Sequence, residues 1–188
     1  MKTTLLLIDW QNDYFPGGRM ELVDIEAAAA RAQSLLMAFR KSGRPIFHVQ
    51  HLALGPEATF FLPDTPGVEI HATLQPLPKE PVIQKHFPNS FRKTGLLEAF
   101  CRAGIEDLVI CGAMSHMCID ATTRAAFDYG LRCQVIHDAC GTRNLVFKGL
   151  EVPAAQVHAA FMAALQARYG QVLSLEEFLA ALPSGAKD

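Results

Sequence analysis

The chain has 188 residues, half of them hydrophobic, and its 17 basic and 19 acidic side chains leave a formal net charge of -2. That length suits one domain with a proper core, and the near-neutral charge provides no field to hold nucleic acid or an anionic membrane surface. Five cysteines, an odd number with no C-x-x-C pair, predict reduced thiols in a cytoplasmic protein. No apolar run approaches membrane-spanning length, and Leu5 to Ile8 is too short for the apolar region of a signal peptide.

In chain order, Leu5 to Ile8 reads as a central strand ending at Asp9, followed by a loop from Trp10 to Gly18. Apolar residues recurring at three- and four-residue steps predict a helix from about Ile25 to Lys41, closed by Ser42-Gly43. Pro45 introduces a second strand, Ile46 to Gln50. A long irregular stretch, Leu52 to Lys79, is broken by five prolines. Loops of that length are often functional, as a lid or an interface; alternatively this one packs Phe60, Phe61 and Leu62 on itself as an Ω-loop. Val82-Ile83 is a short strand leading to Gln84 and Lys85, and Thr94 to Ala103 is a helix closed by Gly104. After the Leu108–Cys111 strand come a strand from Arg132 to Ile136, a helix from Pro153 to Tyr169, a strand at Val172-Leu173 and a helix from Leu175 to Leu182. Strands alternating with helices imply a mostly parallel sheet covered on both faces. The expected fold is a single three-layer α/β/α, Rossmann-like domain over residues 1–183, with about six strands and a frayed tail at 184–188.

The stretch Val109 to Ala126 organises the rest. Its apolar run is broken by Gly112, and small residues and helix formers then continue from Ser115 to Tyr129, with Gly130 as the stop. Strand, turn and helix in that order place Cys118 in the first helical turn, where the dipole and unpaired N–H groups favour a thiolate. The alternative is a small core hydrophobe, the fate of most free cysteines and of Cys111 and Cys133, each within a strand. Cys101 falls in a helix and Cys140 in a loop. Ligands of open parallel sheets bind beyond the carboxyl ends of the strands, and Asp9, Lys85 and Cys118 all sit at such ends.

Leu7-Ile-Asp-Trp-Gln-Asn-Asp-Tyr-Phe15, Val82-Ile-Gln-Lys-His-Phe-Pro-Asn-Ser-Phe91 and Cys111-Gly-Ala-Met-Ser-His-Met-Cys-Ile-Asp-Ala-Thr-Thr-Arg-Ala-Ala126 resemble, in order, the three motifs of the isochorismatase-like cysteine hydrolases, the superfamily that includes nicotinamidases. The resemblance covers nearly the whole chain. It implies Asp9 as general base, Lys85 as the charged partner and Cys118 as nucleophile. It also implies a cis peptide at Ala113–Met114, and an oxyanion hole from the backbone N–H groups of Met114 and Cys118. The implied reaction is hydrolysis of a small-molecule amide through a Cys thioester, with no cofactor, in a homodimer or homotetramer. Trp10, Tyr14, Phe15, Gln50, His51 and Phe87 are the expected pocket residues.

The sequence departs from the family in two informative ways. True isochorismatases lack a cysteine at the nucleophile position, so Cys118 argues for amide-type chemistry. Nicotinamidases carry a metal-binding Asp-x-His pair after the second strand; here Phe47-His-Val-Gln-His51 lacks the carboxylate, and no metal is expected. His48 and His51 fall on opposite faces of a strand, and His71, His86, His116, His137 and His158 suggest no pairing. Two other readings stand beside the hydrolase. Cys118 and Arg124 fit the C-x5-R spacing of cysteine phosphatases, but the residues between them lack glycine and include Asp120, which would repel phosphate; Arg124 paired with a carboxylate on the helix is the simpler reading. The other is a non-catalytic binding protein on the same fold.

Overall fold

In a computed structural model, residues 2–182 are described; the expected frayed tail at 184–188 lies outside them. Six strands form one parallel sheet: β1 (Lys2–Ile8), β2 (Ile46–His51), β3 (Val82–Lys85), β4 (Ile105–Ala113), β5 (Arg132–Gly141) and a last strand, Gln171–Leu173, in the order β3-β2-β1-β4-β5-last. The chain builds outward from β1 on one side and then returns to build outward on the other. The order therefore reverses between β1 and β4, which opens a crevice at their carboxyl ends.

The two faces of the sheet bury alternate residues. Leu5 and Leu7 of β1 and Val109 of β4 face the helix α1 (Ile25–Ser42), which contributes Ala32, Leu35, Leu36 and Phe39. Leu6, Ile8, Leu108 and Ile110 face the opposite layer, built from α2 (Leu96–Ala103), α3 (Asp120–Asp128) and α4 (Ala154–Arg168). This is the three-layer α/β/α arrangement expected from the alternation of elements. The last helix, α5 (Leu175–Ala181), joins the α1 layer through Leu175 and Phe178. Among the described residues, no helix is long and apolar enough to cross a membrane.

Three local expectations are corrected. The strand after α3 does not stop at Ile136 but continues to Gly141, through a register shift against β4, so Cys140 is in a strand and not a loop. A hairpin unseen in the sequence follows, β6 (Leu145–Phe147) and β7 (Leu150–Val152), turning at Lys148 and Gly149, which both have positive φ; β8 is the last sheet strand. Runs of three residues are too short to reveal a period of two, which is why the pattern was silent there. Helix α2 begins at Leu96, because the Thr94 hydroxyl is turned back to the Ser90 carbonyl and accepts from the Leu96 N–H, which leaves Thr94 outside the helix.

The long loop follows the Ω-loop alternative in packing its aromatic residues on the domain itself. Its apolar stretch turns inward: Phe61 is buried against Tyr14 with ring centroids 4.6 Å apart, and Phe60 packs on both rings. The buried Asp13 carboxylate holds it there, accepting from the Phe61 N–H at 2.6 Å and the Arg19 N–H at 3.2 Å. A Cβ at Gly67 would run into that carboxylate, so glycine is what lets the loop close over it.

At the far end of the loop Glu80, 7% exposed, receives both the Nε and an NH2 of Arg40 at 2.8 Å, the Leu77 N–H at 2.9 Å and His48 at 3.1 Å. Burial opposes the Glu80 charge, but Arg40, the Leu77 N–H and His48 outweigh it and pull the carboxyl down to about 2. Glu80→Ala leaves Arg40 without its carboxylate and should cost roughly 3–5 kcal/mol in urea unfolding at pH 7. Because the folded value lies below the ordinary 4.5, this stabilisation is complete above that pH and is lost as pH falls toward 2; the gap between wild type and variant should narrow over that range.

Candidate active site

At the crevice the backbones of β1 and β4 lie in direct contact. Ile8 pairs with Gly112, and any Cβ at Gly112, whose φ is 141°, would strike the Ile8 carbonyl. Past this contact β1 ends at Asp9, which takes φ of 55°, a left-handed conformation that aspartate tolerates better than most residues. Its N–H donates to the Val49 carbonyl of β2. Strand β4 ends with a cis peptide at Ala113–Met114, and a π-helical turn, Ser115–Ile119, leads into α3 and carries Cys118. That turn is pinned from outside. Ser115 donates to the Gly141 carbonyl of β5 and meets His158 Nδ1 of α4 at 2.9 Å, while His116 meets Thr142 at 2.8 Å. Sequence reasoning assigned neither histidine a partner, because the partners lie far away in the chain.

Three strand ends thus deliver Asp9, Lys85 and Cys118 to one point. The Lys85 ammonium donates to Asp9 Oδ2 at 2.7 Å, to Cys118 Sγ at 3.2 Å and, from the adjacent end of β2, to His51 Nδ1 at 2.9 Å. Asp9 and Lys85 are completely buried and Cys118 is 4% exposed. Burial opposes the Lys85 charge, yet the Asp9 carboxylate and the Cys118 sulfur outweigh it and raise its pKa above the ordinary value. For Cys118, burial is the largest effect and the Asp9 charge adds to it; both exceed the pull of Lys85, so the thiol is pushed up. The pull toward a thiolate expected from the helix start is therefore outweighed, which leaves Asp9 the base role that the resemblance implies. The helix start favours the anion, but desolvation beside a carboxylate disfavours it more. The resting cluster holds a carboxylate, an ammonium and a thiol.

The expected pocket residues divide sharply. His51 touches Lys85. Tyr14 is buried close enough that, after burial itself, the Cys118 and Asp9 charges push its phenol well up. Trp10 and Phe15 turn into the core, with Phe15 stacked on His71 at 3.6 Å. Gln50 is spent on the chain itself, donating to the Val68 carbonyl and accepting from Gln84. Phe87 is half-buried beneath the Arg92 guanidinium, 3.9 Å from the ring centroid. Arg124 is bound to Asp120 at 2.9 Å and lies over the Tyr169 ring, as expected of a helix-surface pair. A groove of about 680 Å³ does exist, but it lies at the amino ends of the strands, between Thr3, Arg132 and Gln171, and shares no residue with the cluster.

One residue without an assigned role proves central. Gln11 is completely buried, and its amide accepts from the His51 N–H at 2.7 Å and donates to the His51 carbonyl at 2.8 Å. It thereby fixes both backbone groups of the residue that faces Lys85. The available signal was a buried-type motif, Asp-Trp-Gln-Asn-Asp, with an amide among charged and aromatic neighbours.

Lys85→Ala strands the Asp9 carboxylate in the interior and should cost roughly 3–5 kcal/mol, whereas Cys118→Ala removes a single acceptor and should cost about 1 kcal/mol. Urea unfolding of both variants at pH 7 checks the difference. Since the folded Lys85 pKa lies above the ordinary 10.5, its contribution is complete below that pH and fades as pH rises beyond it.

Comparison with known proteins identifies the family. A family model described as the isochorismatase domain matches residues 3–177. An uncharacterized isochorismatase family protein, YddQ, of Bacillus subtilis is 54% identical, across 95% of this chain and 99% of its own. A crystal structure of a hydrolase from Oleispira antarctica, described there as a putative isochorismatase, superposes with a TM-score of 0.92 at 51% identity, covering 96% of this chain and 97% of that one. At greater distance, a maleamate amidohydrolase of Pseudomonas putida is 24% identical over 94% of this chain and 84% of its own. With its Asp9–Lys85–Cys118 cluster at the strand ends, the chain belongs to the isochorismatase family of hydrolases.

Proposed function

We propose that the protein hydrolyses the C–N bond of a small-molecule amide through a thioester on Cys118. The observation that carries this reading is the buried contact set of Lys85 with Asp9 and Cys118, which places an acid–base group beside a nucleophile. The maleamate amidohydrolase relative supports amide chemistry. Cys118 is 4% exposed and Met114 7%, which suits a compact substrate and not a polymer.

The steps follow from the resting charges. Asp9 removes the Cys118 proton as the sulfur adds to the amide carbonyl, and Lys85 stabilises the charge as it moves between them. The backbone N–H groups of Met114 and Cys118 receive the developing oxyanion. Asp9 returns its proton to the leaving nitrogen, the C–N bond breaks, and ammonia or a small amine departs from the thioester. Asp9 then takes a proton from water, whose hydroxide adds to the thioester, and the departing Cys118 sulfur recovers that proton. One amide and one water become one acid and one amine. The substrate is the only partner this chemistry needs, and no step requires a cofactor.

An ammonia-release screen over maleamate, nicotinamide, ureido acids, biuret and simple aliphatic amides tests the reading, run beside a phosphate-ester panel. With any amide that turns over, Cys118→Ala should abolish release, and Asp9→Asn and Lys85→Ala should each lower the rate by about 10²–10⁴. Intact-mass spectrometry of a quenched reaction should find the acyl group on Cys118. Ammonia release that survives Cys118→Ala would sink the thioester mechanism. Phosphate release that needs both Cys118 and Arg124, without ammonia from any amide, would replace the reading altogether.

A further inference from the structure

Asp9, His51 and Cys118 offer ligand atoms that lie within 4.8 Å of one another, a spacing able to hold a cation. The Lys85 ammonium occupies that point, with its three acceptors at 2.7, 2.9 and 3.2 Å. An ammonium has three hydrogens and no lone pair, so each contact consumes one N–H. The arrangement has a consequence for the ring. An imidazole nitrogen that accepts from an ammonium cannot itself carry a proton, so the His51 hydrogen resides on Nε2. Nε2 has no protein partner among the described residues and is not counted among the sealed, unsatisfied atoms; the side chain keeps 17% of its surface accessible. The backbone on either side of that ring is held by Gln11, through both the N–H and the carbonyl of His51.

We propose that His51 is a positioning and substrate-recognition residue of this site: Nδ1 fixes the direction of the Lys85 ammonium, and Nε2–H is a neutral donor offered to an acceptor oxygen of the bound amide other than the scissile carbonyl. This deepens the amide-hydrolase reading and rests on it for the identity of the substrate. The scissile oxygen is already provided for by the Met114 and Cys118 N–H groups in that reaction, so a further fixed donor addresses a second acceptor. A substrate with a carboxylate or second carbonyl near the amide fits; a simple alkyl amide leaves the donor unmatched.

The electrostatic surroundings keep the ring in this form. Burial lowers the His51 pKa most, the neighbouring Lys85 charge lowers it further and His86 adds to that, while Asp9 opposes them; the result is about 4. The same ring protonated would present an N–H to the Lys85 ammonium and break the contact. His51 therefore stays neutral across the working range, and the charge of the site is carried by Asp9 and Lys85.

Two measurements test the proposal, and the first needs no substrate. In ¹⁵N-labelled wild-type protein, with the His51 signals assigned by their loss in His51→Asn, the ring should show the Nε2–H tautomer and no titration between pH 5.5 and 9, roughly the range above its lowered pKa. An Nδ1–H tautomer, or titration near the ordinary histidine value, would overturn the proposal whether or not a substrate is known. The second compares variants with an active amide from the screen. Asparagine can still offer an oxygen to Lys85 but does not reach as far as Nε2; phenylalanine offers nothing. His51→Phe should lower kcat by roughly 10–10² and raise KM, and His51→Asn should recover much of the kcat but not the KM. Equal losses in the two variants would overturn the division of roles. Comparing amides with and without a second acceptor, the KM increase in His51→Asn should appear only with the first kind; an increase independent of the second acceptor would overturn the recognition role. Failure of the amide screen itself would speak against the thioester reading, while the tautomer measurement would still decide the Lys85 contact.

Discussion

The Lys85 ammonium is completely buried, and side chains from or just past the ends of three neighbouring strands replace its hydration shell. Moving such an ion out of water costs several kcal/mol even after relaxation, and a single counter-ion in poor geometry does not recover it. Here every N–H has an acceptor, and one of the acceptors is a carboxylate as deeply buried as the lysine itself. The cluster is therefore coherent as a unit and poor in any part. Asp9 without Lys85 is an uncompensated charge, and Lys85 without Asp9 is the same problem with the sign reversed.

The backbone is arranged to make that convergence possible. Gly112 lets β4 lie against Ile8 where a side chain would collide, and Asp9 turns left-handed immediately afterwards. Gln11 then reaches across to hold His51 by its main chain, and its amide also donates to the Val68 carbonyl in the long loop. The loop is in turn closed by Asp13, two residues further along the same segment. The residues from Asp9 to Phe15 thus supply one group to the chemistry and several to the walls around it. This explains why so many aromatic and amide side chains are concentrated there, and why most of them do not face a ligand.

Much of this was legible in the sequence, for a physical reason. Asp9, Lys85 and Cys118 are polar or reactive residues at the carboxyl ends of apolar strands, where an α/β sheet opens its crevice, and their place at those ends points to one site. The helices and sheet faces were legible too, since Ala32, Leu35 and Phe39 repeat at helical spacing and Leu5 to Ile8 alternate between two layers. Long-range pairing was not. Nothing near His158 predicts Ser115, and nothing near Glu80 predicts Arg40 and His48. The burial of Cys118 was not legible for a related reason. The helix start is a local feature and visible in sequence; the burial that opposes it is a property of the folded site.

That protonated thiol bears on which bond the proposed reaction can break. An amine is a poor leaving group unless it receives a proton as the C–N bond lengthens, whereas an alkoxide or a thiolate makes a smaller demand. A cysteine ionised at rest would attack readily but would leave Asp9 as a carboxylate with nothing to give. In the proposed reaction the thiol would hand its proton to Asp9 during attack, and that proton would be in place, beside the tetrahedral carbon, when the nitrogen needs it. Lys85 contacts both Asp9 and Cys118, the two ends of the proposed transfer, and also His51. The raised thiol pKa slows the first step relative to a free thiolate, and in exchange couples nucleophile activation to leaving-group protonation. Such coupling would serve an amide, whose nitrogen must be protonated to leave, more than an ester, whose alkoxide makes the smaller demand.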